Sequence, residues 1–139
     1  MRLSLVPPVH RATHRIGLLL AGTRPALGLS QGEAHLLAEL HESGPCTVGA
    51  LHRAFAHRKS TLTGILDRME ERGLVRRRLR AEDRRSFSVE LTPKGRDAAA
   101  RAHQRLAQLE GAVRRRVSAA DLRGFLAVVE ALAKEAEGE

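Results

Sequence analysis

This sequence predicts a mainly α-helical fold with one small β-hairpin, and three observations carry that prediction. Apolar residues recur at helical spacing in six segments, whereas only two short runs are strand candidates. Those two runs, residues 74–79 and 87–91, follow one another closely and so form a single hairpin. The composition also suits packed helices, because three Phe, no Tyr and no Trp leave an aliphatic core. With 139 residues, 42% apolar and 29% charged, the chain is sized for one globular domain with a modest core.

The elements follow in order. Pro7 and Pro8 end a disordered start, and residues 9–24 form a helix with Ile16, Leu19 and Leu20 at helical spacing. Pro25 and Gly28 break it. Ser30-Gln31-Gly32-Glu33 has the form of a capping box and opens a second helix, which buries Leu36, Leu37 and Leu40 before Gly44-Pro45 stops it. Thr47 can cap a short third helix with Val48, Leu51 and Phe55 on one side. A turn through Ala56, His57 and Arg58 leads to a fourth, whose Leu62, Ile65, Leu66 and Met69 form one stripe. Gly73 sits where a left-handed terminating residue belongs. In the second strand Phe87, Val89 and Leu91 alternate with Ser88 and Glu90, so one face is buried. Residues 80–85 make a long charged tip. Thr92-Pro93 then starts a fifth helix running to about residue 117, with Ala102, Leu106, Leu109 and Val113 as a seam that seeks another helix. Ser118 to Asp121 cap a sixth, on which Leu122, Phe125, Leu126, Val129 and Leu132 are apolar.

The net charge of +8 is unevenly placed. Residues 52–86 hold eleven Lys and Arg against five acids, so a quarter of the chain carries most of the excess. That is the footprint of a surface that binds a polyanion; the bland alternative is a solvated arginine-rich face. With Leu62, Ile65, Leu66 and Met69 inward, the fourth helix shows Lys59, Ser60, Thr61, Thr63, Gly64 and Arg68 on the other side. Hydroxyls and an Arg near a helix start can reach base edges in a major groove, and Gly64 lets a backbone come close. In the hairpin, Arg76, Arg77 and Arg78 alternate across the strand, so one or two meet phosphates while another faces solvent. At the tip Arg84 and Arg85 can enter a narrow minor groove, with Asp83 orienting an Arg through a charge-assisted hydrogen bond. The layout is that of a winged helix-turn-helix lobe, about residues 30–92, plus a helical region at about 9–28 and 93–137.

At this point the residues resemble a family. KSTLTGILDRMEERGLVRRRLRAEDRRSFSVELTPKG is similar to the recognition helix, wing and fifth-helix start of MarR-type transcriptional regulators. GPCTVGALHRAF resembles that family's first short strand and third helix, and LSQGEAHLLAEL its second helix. The likeness is strong over residues 29–96 and covers the flanking helices by layout only. It implies a homodimer formed by the first, fifth and sixth helices, with two winged lobes on a pseudo-palindromic operator. It also implies that Lys59, Ser60, Thr61, Thr63 and Arg68 lie on the recognition helix, and Asp83, Arg84 and Arg85 on the wing. One departure is Arg58, where the family commonly has Ser or Pro, so the recognition helix begins with a poorer cap.

Other signals are weaker. His10 and His14 are four apart on one helix face, a spacing that can bind metal. His35 and His103 could approach the cleft where members of the resembled family bind effectors. Zinc-sensing members add carboxylates, and Ala34 beside His35 supplies none, so interface or surface histidines are the expectation and no metal or cofactor is. Cys46 is expected to be a small buried hydrophobe rather than a sensing thiol, and as the lone cysteine it excludes an internal disulfide. The start is too short and proline-interrupted for a signal peptide and no apolar run reaches membrane-spanning length, so a cytoplasmic protein is expected. The function expected is a sequence-specific, double-stranded-DNA-binding regulator, a ligand-responsive repressor and not an enzyme. The alternatives are a zinc-responsive regulator of the same fold, or a winged helix that binds nucleic acid or protein without sequence preference.

Overall fold

The computed structural model of the chain describes residues 1–80 and 87–137. Within them lie six helices and three short strands: α1 (Val6–Ala21), α2 (Gln31–Ser43), β1 (Cys46–Thr47), α3 (Val48–Phe55), α4 (Lys59–Glu71), β2 (Val75–Leu79), β3 (Phe87–Leu91), α5 (Pro93–Arg114) and α6 (Ala119–Glu137). The strands form one antiparallel sheet in the order β1-β3-β2. The chain divides into two compact units, Met1–Leu106 and Ala107–Glu139.

The capping chemistry read from the sequence is present. Ser30 Oγ accepts from the Glu33 backbone N–H, and the Glu33 carboxylate accepts from Ser30 N–H, so two donors that the helix leaves unpaired are satisfied. Thr47 Oγ1 caps α3 by accepting from Ala50 N–H. Ser118 and Asp121 make the reciprocal pair at the start of α6. At the end of α4, Gly73 adopts φ +71, Leu74 N–H bonds Met69 O, and Gly73 N–H bonds Glu70 O, which together make a Schellman motif. Helix α1 begins three residues earlier than its periodicity suggests. Pro7 falls in its first turn, where a missing N–H costs nothing because those donors have no helical acceptor.

The core of the first unit is aliphatic. Leu36, Leu37 and Leu40 from α2 meet Leu51 from α3, the α4 stripe of Leu62, Ile65, Leu66 and Met69, and Val75 and Val89 from the sheet. Burying each such side chain contributes roughly 1.5–3 kcal/mol, which makes the α4 stripe the main anchor of that helix. A second cluster joins Leu20, Ala34 and Ala102, with Ile16 and Leu106 packed beside it. In the sheet, Val89 is buried, but Phe87 at the outer end of the same face is exposed, so burial stops where the hairpin leaves the body. In the second unit no residue of α6 is buried, and Phe125, Leu126, Val128 and Val129 are exposed.

Candidate nucleic-acid interface

Helices α3 and α4 are joined by Ala56, His57 and Arg58 alone. So tight a turn needs Ala56 in the left-handed region, at φ 53, a conformation that costs a residue with a Cβ about 1 kcal/mol or more. The Phe55 and His57 rings stack across it with centroids 6.0 Å apart. Arg58 occupies the cap position of α4 without a side-chain hydrogen bond to the helix, as its side-chain chemistry dictates.

The far end of α4 is held by three separate ties. Arg72 donates to Gly28 O at 2.7 Å and to the buried Glu33 carboxylate at 3.4 Å, linking the helix end to the start of α2. Lys94 Nζ donates to Arg72 O, and Thr92 Oγ1 donates to Gly73 O. Thr92 Oγ1 also accepts from Gly95 N–H. There is no room for a side chain at Gly95, where a Cβ would lie 1.8 Å from the Leu74 carbonyl oxygen. The residues that stop α4 and start α5 therefore fix the helix on the body, a close approach that periodicity does not reveal.

The face of α4 opposite its apolar stripe is solvent-accessible. Lys59, Ser60, Thr61, Thr63 and Arg68 are exposed, and Gly64 is half-buried. A Cβ at Gly64 would meet only the Arg68 guanidinium, at 3.4 Å, so that stretch of helix surface is covered by one side chain. Thr63 Oγ1 donates to Lys59 O at 2.9 Å, which uses its proton and leaves the oxygen to accept. Two stripes can be told apart. Thr61, Gly64 and Arg68 recur at i, i+3 and i+7, whereas Lys59 and Thr63 lead on to Asp67 and Glu70.

Asp67 and Glu70 are engaged by the sheet. Arg77 donates to Asp67 at 2.6 Å and to Glu70 at 2.8 Å, and these partners push its pKa further up, Glu70 first. Arg76 and Arg78 lie on the other face of β2; Arg76 donates through Nε to a carboxylate oxygen of Glu90 at 2.5 Å, and Arg78 Nε forms an ion pair with the same oxygen at 2.7 Å. The register explains this convergence: Arg76 is directly opposite Glu90, and Arg78 opposite Ser88 is its diagonal neighbour. Asp83, Arg84 and Arg85 lie outside the described residues. By contrast Arg53, Arg58, Lys59 and Arg68 meet no carboxylate among the described residues. Arg53, exposed on α3 beside the basic turn, is a further candidate that the sequence pattern did not single out.

The histidines are not gathered into one cluster. His10 and His14 are exposed on α1, and His35 is half-buried on α2, where burial lowers its pKa. His103 on α5 pairs instead with His41 and Glu42, the rings 4.8 Å apart and Nε2 3.4 Å from the carboxylate. Among the described residues no group of three or more His, Cys, Asp or Glu could hold a metal ion. Cys46 is half-buried against the core, and its thiol donates to Gly44 O; burial, then Glu39, pushes its pKa up, away from a reactive thiolate. Leu40, His41, Gly44, Pro45, Glu90, Leu91 and Arg96 line a cleft of about 280 Å³. No described helix is long and apolar enough to cross a membrane.

A short helix, a tight turn, an exposed second helix and an antiparallel hairpin define a winged helix-turn-helix protein. The comparisons with known proteins agree. Residues 29–87 match the model of the MarR family. A probable transcriptional regulator from Pseudomonas aeruginosa is 27% identical, with 91% of this chain and 96% of that one covered and a TM-score of 0.71. MepR of S. aureus in its DNA-binding conformation is 15% identical, with coverage of 96% and 98% and a TM-score of 0.81. The S. aureus MepR–DNA complex gives 15%, 96%, 99% and 0.76 in the same order. Among curated proteins none matches the sequence. Residues 29–87 are thus similar to the MarR family, and the chain has the winged helix fold of the solved structures of MarR and MepR.

Proposed function

We propose that the protein is a cytoplasmic, homodimeric regulator that binds a pseudo-palindromic operator in double-stranded DNA and is released from it by a small ligand, acting as a repressor. One observation carries the DNA-binding reading: α4 turns outward a face of Lys59, Ser60, Thr61, Thr63 and Arg68 that meets no carboxylate among the described residues, while Asp67 and Glu70 are engaged by Arg77. The similarity in fold to MepR, one structure of which is a DNA complex, supports it. In this reading Arg68 and the Thr63 oxygen meet base edges, the latter accepting from a cytosine or adenine amine. Arg58 and Lys59 meet phosphates, Gly64 allows close approach, and Arg76 and Arg78 follow the backbone. Asp83, Arg84 and Arg85, on sequence grounds, form the wing that reads the minor groove.

The proposed division of labour is a DNA-binding lobe at about residues 30–92 and a dimerisation region at about 9–28 and 93–137. Support comes from apolar surface left uncovered on both: Leu5, Val6 and Val9 on the first unit, and Phe125, Leu126 and Val129 on the second. A second copy is the economical cover for such surface. Two recognition helices must then stand about 34 Å apart to enter successive major grooves, and a ligand that favours another spacing lowers the competent population. The effector is proposed to act near His10, His14, His35 and His103. Selection of bound sequences from random duplex DNA tests the reading. An inverted repeat bound by a dimer is expected. Binding with no sequence preference, or by a monomer, would overturn it.

A further inference from the structure

We propose that Glu90 is an internal competitor for DNA phosphate: it holds Arg76 and Arg78 in the free protein and yields them when duplex arrives. The inference rests on the DNA-binding reading and deepens it. A single oxygen, Glu90 Oε1, accepts from Arg76 Nε and is ion-paired with Arg78 Nε. One negative charge thus answers two positive ones, and the trio presents a net charge of one where the sequence counts two.

The geometry makes the clamp reversible. The Glu90 side chain is 22% exposed, and the Arg76 and Arg78 side chains are 45% and 61% exposed. Ion pairs this open to solvent are weak, so an approaching phosphate can replace the carboxylate at little cost. Glu90 is fixed on the central strand of the sheet, with β1 on one side and β2 on the other. It cannot follow the arginines toward DNA, so they must leave it to bind. Arg77 does not take part, since it faces the acids of α4.

Salt dependence of duplex binding counts the phosphates a protein neutralises, each contributing about 0.9 to the slope of log K against log salt. Glu90→Gln keeps the shape of the side chain and removes its charge. The slope should steepen by about one unit, and at about 0.1 M salt binding should tighten roughly tenfold. Far-UV circular dichroism and the thermal midpoint establish that the variant is folded. In the wild-type background, Arg76→Gln with Arg78→Gln should flatten the slope by about one unit, not two, because half their charge is already cancelled. That measurement serves even if Glu90→Gln fails to fold.

Combining all three substitutions completes the cycle. The gain from Glu90→Gln should vanish when the arginines are gone. A gain that persists would mean simple long-range repulsion from Glu90 and would overturn the clamp. So would an unchanged slope, or weaker and shallower binding, which would make Glu90 an organiser of the arginines. A wild-type protein that binds no duplex removes the DNA-binding reading itself, and the clamp with it.

Discussion

The α3–α4 turn and strand β2 are both densely basic, yet the fold treats their charges in opposite ways. Arg53, Arg58, Lys59 and Arg68 are exposed and meet no carboxylate among the described residues. Arg77 holds two, and Arg76 and Arg78 share one. The acids responsible lie ten to fourteen residues from some of their partners and come close only through the hairpin register and the α4–β2 packing. A count of charges along the chain therefore overstates what β2 can offer a polyanion and describes the α3–α4 surface fairly. The first region is a surface held ready; the second is a surface in balance.

The most damaging substitution would attack the joint that holds both regions in place. Gly95→Ala sets a Cβ against the Leu74 carbonyl, the same oxygen that accepts from Thr92 N–H at the root of β2. Neither group can yield without moving α5 or the strand. A loss of about 3 kcal/mol or more in unfolding free energy is expected, at the upper end of what overpacking costs. Chemical denaturation measures it directly. A midpoint equal to that of the wild type would mean the joint is looser than the 1.8 Å clearance implies.

The comparison itself is sharpened by pairing Arg68→Ala with Arg77→Ala. Arg68→Ala should relax preference at one operator position by about 1–3 kcal/mol, as expected for a lost base contact. Arg77→Ala should weaken every sequence alike, because it leaves Asp67 and Glu70 unpaired on α4 and frees β2 from that helix. If the orphaned carboxylates cause the harm, then Arg77→Ala combined with Asp67→Asn and Glu70→Gln should recover most of the affinity. Failure of that rescue would mean that Arg77 touches the nucleic acid itself, and the contrast between the two regions would dissolve.

How much of this was legible beforehand depended on the range of the interaction involved. The caps at Ser30, Thr47, Thr92 and Ser118 are local chemistry over three residues, and all four are present. The α4 stripe and the left-handed Gly73 are likewise local and were readable from spacing. Pro7 within α1 was misread as a boundary because proline breaks only helix interiors, not first turns. The Glu90 clamp needed the register, which aligning residues 75–79 against 91–87 would have supplied. The tie between Arg72 and Glu33 spans 39 residues, and the pairing of His103 with His41 joins two helices; neither leaves a trace in periodicity. The cleft beside Glu90 is assembled from three separate stretches and was invisible for the same reason.

The smallest expected effect serves as a control on the contrast. An arginine side chain is charged at any pH a folded protein meets, so the difference between Arg68→Ala and Arg77→Ala should be the same at pH 6 and pH 8. Stability, however, should vary, because His35 is half-buried and burial lowers its pKa from the ordinary value near 6.5. A histidine that resists protonation when folded takes up a proton more readily when unfolded. Its contribution is therefore neutral well above pH 6.5 and turns destabilising as pH falls below that value. His35→Gln should lessen the fall in thermal midpoint between pH 7 and pH 5, while leaving DNA affinity at pH 8 unchanged. An equal fall in both proteins would assign the acid sensitivity to other groups, with the His41–His103–Glu42 contact the next to test by His103→Gln.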